Sequence, residues 1–151
     1  MSFGITDLVV PSAVVVASAN GACGIYGAVR WYRVEQSRVF WLAVRAGQLL
    51  AFAFAVLAGV LWLSHKRPGN DLFYLYALLP VAIGLLAEQL RITSAEQVLA
   101  SRELADAQAV GRLGEAEQRS VVVAILRREM GVMAAASLVV CFLALRAAGT
   151  F

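Results

Sequence analysis

The sequence predicts an all-α integral membrane protein: four transmembrane helices in an antiparallel bundle, with a cytoplasmic helical hairpin between the third and fourth spans. Three observations predict it. Apolar runs of membrane length occur at residues 8–29, 40–63, 72–91 and 129–146. The 151-residue chain is 61% hydrophobic and 15% charged, and its mean hydropathy is +0.76. A soluble domain is nearer half apolar and a quarter charged, so bilayer solvent explains the excess better than a large core does. Finally, the basic residues gather in two of the connections. The length suits one domain covering residues 1–151.

The first run, residues 8–29, contains Ala17-Ser18-Ala19, a signal-cleavage pattern. The preceding MSFGITD has no Lys or Arg, whereas a signal sequence has a basic flank, so the run reads as a retained span. The second run, 40–63, follows a short basic connection. The third, 72–91, follows SHKRPGND (64–71), whose Pro and Gly make a tight turn and an antiparallel pair. His65, the single histidine, falls in that turn. Pro80 inside the third run frees the Tyr76 carbonyl and predicts a kink.

Arg30, Arg33, Arg38 and Arg45 surround the first connection, and Arg91, Arg102, Arg112, Arg119, Arg127 and Arg128 the third. The opposite side has Lys66, Arg67 and Arg146. Ten basic residues against three place the first and third connections in the cytoplasm and both termini outside; the plasma (inner) membrane is the expected location. Aromatics agree: Trp31, Tyr32, Phe40 and Trp41 flank one level, and Trp62, Phe73, Tyr74 and Tyr76 the other.

Residues 93–128 are rich in helix formers. Thr93-Ser94-Ala95-Glu96 reads as a capping box that starts a new helix. Gly111-Arg112-Leu113-Gly114 is the evident breaker. The predicted hairpin therefore has helices at about 94–110 and 115–128. Its seam keeps no heptad, which excludes a long coiled coil. VVVAIL (121–126) must be buried, against the preceding helix, the 30–40 loop or another subunit. Arg127, Arg128 and Glu129 sweep about 200° of a helix, so they cannot all face a bundle interior and belong at the membrane boundary.

That boundary also answers what GLLAEQLR (84–91) does. Residues 72–87 and 130–145 are apolar stretches of equal length. Counting from them puts Arg45, Glu88, Arg91, Arg127 and Glu129 at one depth, as an ion-pair layer at the cytoplasmic edge. A proton or ion relay through Glu88, or a lipid-headgroup site among Arg45, Arg91 and the Arg pair, are the alternatives. Asn20 and Gln48 are the polar contacts inside spans, with Gln48 able to reach Asn20 or Arg45. Ala17, Gly21, Gly24 and Ala28 form a small-residue stripe suited to close helix packing.

Several classes have no support in the sequence. The net charge of +3 and pI of about 9.2 lack a basic stripe with interleaved aromatics, so nucleic acid is not an expected partner. Cys23 and Cys141 read as small buried hydrophobes at different depths, with no disulfide between them. No nucleophile–base pair, phosphate-cradling loop, zinc cluster or paired histidine is present, so neither an enzyme nor a cofactor is expected. The expected role is a structural or regulatory membrane subunit, its partners being the bilayer and either further copies or a protein docked on the hairpin. The alternative is a small oligomeric channel or transporter using Asn20, Gln48 and Glu88.

Overall fold

The computed structural model describes residues 4–65 and 68–151. Lys66 and Arg67, in the predicted turn, and residues 1–3 lie outside the described residues. Among the described residues the chain is all-helical. After a single 3-10 turn at Ile5–Leu8 come α1 (Val9–Arg33), α2 (Arg38–Leu63), α3 (Leu72–Ser101), a one-turn α4 (Ala107–Gly111) and α5 (Glu115–Thr150). The four long helices are long and apolar enough to cross a membrane. At 1.5 Å per residue, the 25 residues of α1 and the 26 of α2 rise about 38 Å, the 30 of α3 about 45 Å and the 36 of α5 about 54 Å.

Two buried clusters show how the helices alternate. One joins the start of α1 (Val9, Ala13) to the end of α2 (Ala58, Leu61), the start of α3 (Phe73, Ala77) and the end of α5 (Ala144, Ala147). The other joins the second half of α1 (Cys23) to the start of α2 (Phe40, Val44), the second half of α3 (Ala87) and the middle of α5 (Met130, Met133). Successive long helices therefore run in opposite directions. The Phe151 carbonyl closes the first end by accepting from Gly69 N at 3.2 Å, and its ring lies 5.1 Å from that of Phe73. The broadest contacts are α1 on α5 and α3 on α5, while α2 and α5 barely touch.

The distribution of residue types inverts that of a soluble core. Small residues line the interior: Ala13, Ala17, Ala51, Ala55, Ala58, Ala77, Ala87, Ala134 and Ala144 are buried. Among the described leucines, Leu61 and Leu143 are buried, whereas Leu42, Leu49, Leu63, Leu85 and Leu86 are among those facing outward. Such a surface suits a hydrocarbon solvent, in which small residues at helix contacts supply the packing. The stripe on α1 shows how. A Cβ at Gly24 would come within 2.7 Å of Leu138 Cδ2 and Cγ, and one at Gly21 within 3.0 Å of Cys141 Sγ. These glycines let α5 lie directly on α1. Both cysteines are free; Ser137 Oγ sits 3.8 Å from Cys23 Sγ.

The predicted hairpin takes a different form. α3 runs without interruption through Thr93 and Ser94, so no capping box forms there. Their hydroxyls instead donate back to the carbonyls of Gln89 (3.0 Å) and Leu90 (2.6 Å), as such side chains do inside a helix. The first hairpin helix is the continuation of α3 and ends at Ser101, not near 110. Glu103 closes it at φ 57°, with Leu104 N donating to Leu99 O and Glu103 N to Ala100 O, a Schellman arrangement without glycine. The second hairpin helix is the beginning of α5, which enters from Gly114 and carries on into the last apolar run. α3 also continues through the buried Pro80 without ending.

The α1–α2 connection ends α1 in the same manner. Val34 has φ 55°, Glu35 N donates to Arg30 O at 3.1 Å and Val34 N to Trp31 O at 3.2 Å. An Arg30–Glu35 ion pair spans this cap. Ser37 then caps α2, its hydroxyl accepting from Phe40 N at 3.3 Å.

Candidate functional site

α2 and α3 bring together residues 43 apart in the chain. Arg45 Nη1 donates to Glu88 Oε1 at 2.6 Å and to Gln48 Oε1 at 2.8 Å. Gln48 Nε2 donates to the same Glu88 oxygen at 3.0 Å. The other carboxylate oxygen, Oε2, lies 3.1 Å from Arg91 Nε. This Nε is fully buried and its N–H is not aligned for a hydrogen bond, so the pair is held by charge and proximity. The Arg91 guanidinium lies over the Trp41 ring, 5.3 Å from its centroid. Local sequence explains the arrangement. Arg45 and Gln48 are three apart on α2, and Glu88 and Arg91 three apart on α3, so each pair shares a helix face.

Glu88 thus faces one guanidinium on each side and an amide between them. Oε1 accepts two hydrogen bonds and Oε2 lies against the Arg91 guanidinium, so the carboxylate is held between two positive charges, which favours its ionised form. The arrangement works as a clamp across α2 and α3, whose contact is smaller than that of α3 with α5 and otherwise lies at the far end of the pair, around Phe54 and Phe73.

Beside the clamp is a cavity of about 240 Å3, bounded by Asn20, Gly47, Gln48, Pro80, Gly84 and Glu88, with apolar walls from Ala51, Phe52 and Val140. Asn20 is buried; its Nδ2 donates to Val16 O at 2.9 Å and to Gly47 O at 3.4 Å. It does not meet Gln48, which is committed to Arg45 and Glu88. Gly47 is required by this approach, since a Cβ there would fall 2.7 Å from Asn20 Oδ1. The sequence signalled Gly47 only as a glycine interrupting the α2 apolar run beside Gln48.

Arg127 does not join the clamp, and Glu129 approaches it only at a distance, close enough to Arg91 and Glu88 for electrostatic interaction but without an ion pair among the described residues. The Arg127 guanidinium lies over the Trp31 ring at 5.6 Å, toward α1. Arg128 Nη1 reaches Gln97 Oε1 on α3 at 3.4 Å. Half-buried Glu129 has no ion pair within 4 Å among the described residues. Helical phase accounts for the split. α5 packs between α1 and α3, and consecutive residues differ by about 100°, so Arg127 and Arg128 point to different neighbours. Among the described residues, no group of three or more His, Cys, Asp or Glu side chains converges as a metal site.

Past the apolar runs, α3 (92–101) and α5 (115–128) continue side by side for about 15–20 Å. Arg102 Nη2 donates to Ser120 Oγ at 2.9 Å, and the Arg128–Gln97 contact ties the pair nearer the bundle. Val98 and Val121 are its buried residues; of the VVVAIL stretch predicted to be buried, Val121 alone is, while Ala124, Ile125 and Leu126 are half-buried and Val122 and Val123 are exposed.

These features define a class, a four-span-length helical bundle with a charged clamp and a projecting helix pair. Comparison with protein-family models, curated proteins and solved structures finds no significant match to this chain.

Proposed function

We propose that this chain is a multi-pass membrane protein of the plasma (inner) membrane that serves as a structural or regulatory subunit. Its α3–α5 projection is the docking element, in the cytoplasm, with both termini outside. The observation that carries this reading is the projection itself: two helices extend beyond the apolar runs yet bury little between them, leaving Val122 and Val123 uncovered. The excess of Arg at that end supports its cytoplasmic placement. The engaged state of Glu88 favours a static role over a relay.

A small oligomeric channel or transporter is the second reading, favoured by the cavity that Asn20, Gln48 and Glu88 border, although most of its walls are apolar. Two experiments separate them. In a Cys23→Ala/Cys141→Ala background, Gln118→Cys is expected to label only after the cytoplasm is opened and Thr150→Cys in intact cells; the reverse pattern refutes the orientation. In liposomes the wild-type chain is expected to pass no protons or ions above protein-free vesicles. Flux that Glu88→Gln abolishes would establish transport instead.

A further inference from the structure

A second groove, of about 710 Å3, lies where the projection leaves the bundle, and its polar lining comes from Trp31, Ser94, Arg102, Ser120, Arg127 and Arg128. We propose that this groove binds the phosphate of an anionic membrane lipid. The proposal rests on the membrane reading given above.

Ser94 donates to Leu90 O, Arg102 to Ser120 Oγ and Arg128 to Gln97 Oε1, so the arginines meet neutral oxygens at most and their charge is not matched by an anion. Among the described residues, none of the three guanidinium groups has a carboxylate within 4 Å. Ser120 accepts from Arg102 through its oxygen, which leaves its own proton to donate. The Trp31 indole N–H packs over Gly131, where a Cβ would come within 3.0 Å of Nε1, and has no hydrogen-bond acceptor among the described residues. Guanidinium groups bind phosphate oxygens through paired N–H donors, and a desolvated anion suits three of them better than water does.

The rest of the lining selects a lipid over a free anion. Val123, Ala124 and Val132 form its apolar wall, and the apolar stretch 130–145 of α5 begins directly beyond Arg128 and Glu129. A ligand seated here has its phosphate among the arginines and its chains along the apolar helix. Trp31 sits at the depth where indole rings gather in bilayers. The other arginine-rich groove, with Arg38, Arg45 and Arg91, is less suited, because Glu88 already neutralises two of its three charges in part.

The test uses the full chain in detergent, with lipid retention read by native mass spectrometry. Phosphatidylglycerol is expected to be retained over phosphatidylcholine. Arg127→Gln/Arg128→Gln should weaken phosphatidylglycerol about 10- to 30-fold, and Arg102→Gln alone about 3- to 5-fold. Arg127→Lys/Arg128→Lys, which keeps the charge but loses the paired N–H donors, should fall between the wild type and Arg127→Gln/Arg128→Gln. Arg112→Gln/Arg119→Gln, which removes equal charge outside the groove, should change it less than about twofold. Circular dichroism checks that each variant is folded, and the Arg102 variant decides the matter if the double variant is not. Inorganic phosphate and polyglutamate should compete only in large excess. Equal retention of the two lipids, equal loss in the Arg112/Arg119 variant, or displacement by stoichiometric phosphate or polyglutamate overturns the lipid site. A chain that stays soluble without detergent overturns the membrane reading as well, and so the two failures are told apart.

Discussion

Arg45 and Glu88 lie 2.6 Å apart, Nη1 to Oε1, and form the direct charge link between α2 and α3. The Arg45 side chain is 53% exposed and that of Glu88 23%, so their coupling falls between a surface pair and a buried one. Glu88→Gln and Arg45→Gln should each lower thermal stability in detergent. The double variant should show a coupling of about 1–2 kcal/mol. Additive losses would mean that the two residues act independently. Arg91→Gln is expected to destabilise too, because it also removes the guanidinium from Trp41.

The α1–α5 seam predicts opposite outcomes for two glycines. Gly24→Ala places a methyl against Leu138 and its backbone N, and should destabilise by about 1–3 kcal/mol. Gly59→Ala meets open space and removes a flexible residue from α2, so it should be neutral or stabilise by up to about 1 kcal/mol. Melting temperatures of the two variants in one detergent give the comparison. Equal effects would show that the seam is looser than the structure has it.

Gly47→Ala drives a methyl toward Asn20 Oδ1 and is expected to cost about 1–3 kcal/mol. Asn20→Ala in the same chain should restore part of the loss by vacating that space. If the second substitution only adds to the first, the two residues are not in contact.

Val34 holds a left-handed conformation that a β-branched side chain disfavours. Val34→Gly should therefore stabilise the chain by about 1 kcal/mol, as the Schellman cap prefers glycine at that position. A fall in melting temperature would show that the half-buried Val34 side chain contributes more through packing than its backbone costs.

The four apolar runs were legible because each is long and interrupted by charge or turn residues, and lipid solvent leaves few alternatives to helix. The Arg45–Glu88 link was legible from depth counting, since both lie at the same end of their runs. What depth cannot give is azimuth. Arg127 sits near that level but turns to Trp31, because α5 lies between α1 and α3 and its phase was set by the glycine seam. The end of α3 was missed for a different reason. It ends at Ser101 and turns away at Glu103, where no glycine advertises it, and the Thr93–Glu96 pattern satisfies its hydroxyls within the helix instead. Gly47 escaped notice because a glycine that admits a carboxamide looks, in one dimension, like a glycine that admits nothing.

The broadest contact in the bundle joins the first long helix to the last: Ser137 meets Cys23 across 114 positions. A chain emerging from the ribosome therefore makes α1 early and its principal neighbour at the very end. Until α5 arrives, Gly21 and Gly24 have no surface to lie against, and the partly built structure is held by the packing of α1 on α2, the Phe54–Phe73 ring contact and the Arg45–Glu88 link. Assembly is a late closure, in which the final helix completes contacts with both α1 and α3. A nascent chain stalled before residue 115 carries the whole polar clamp but lacks the helix that most of the packing depends on.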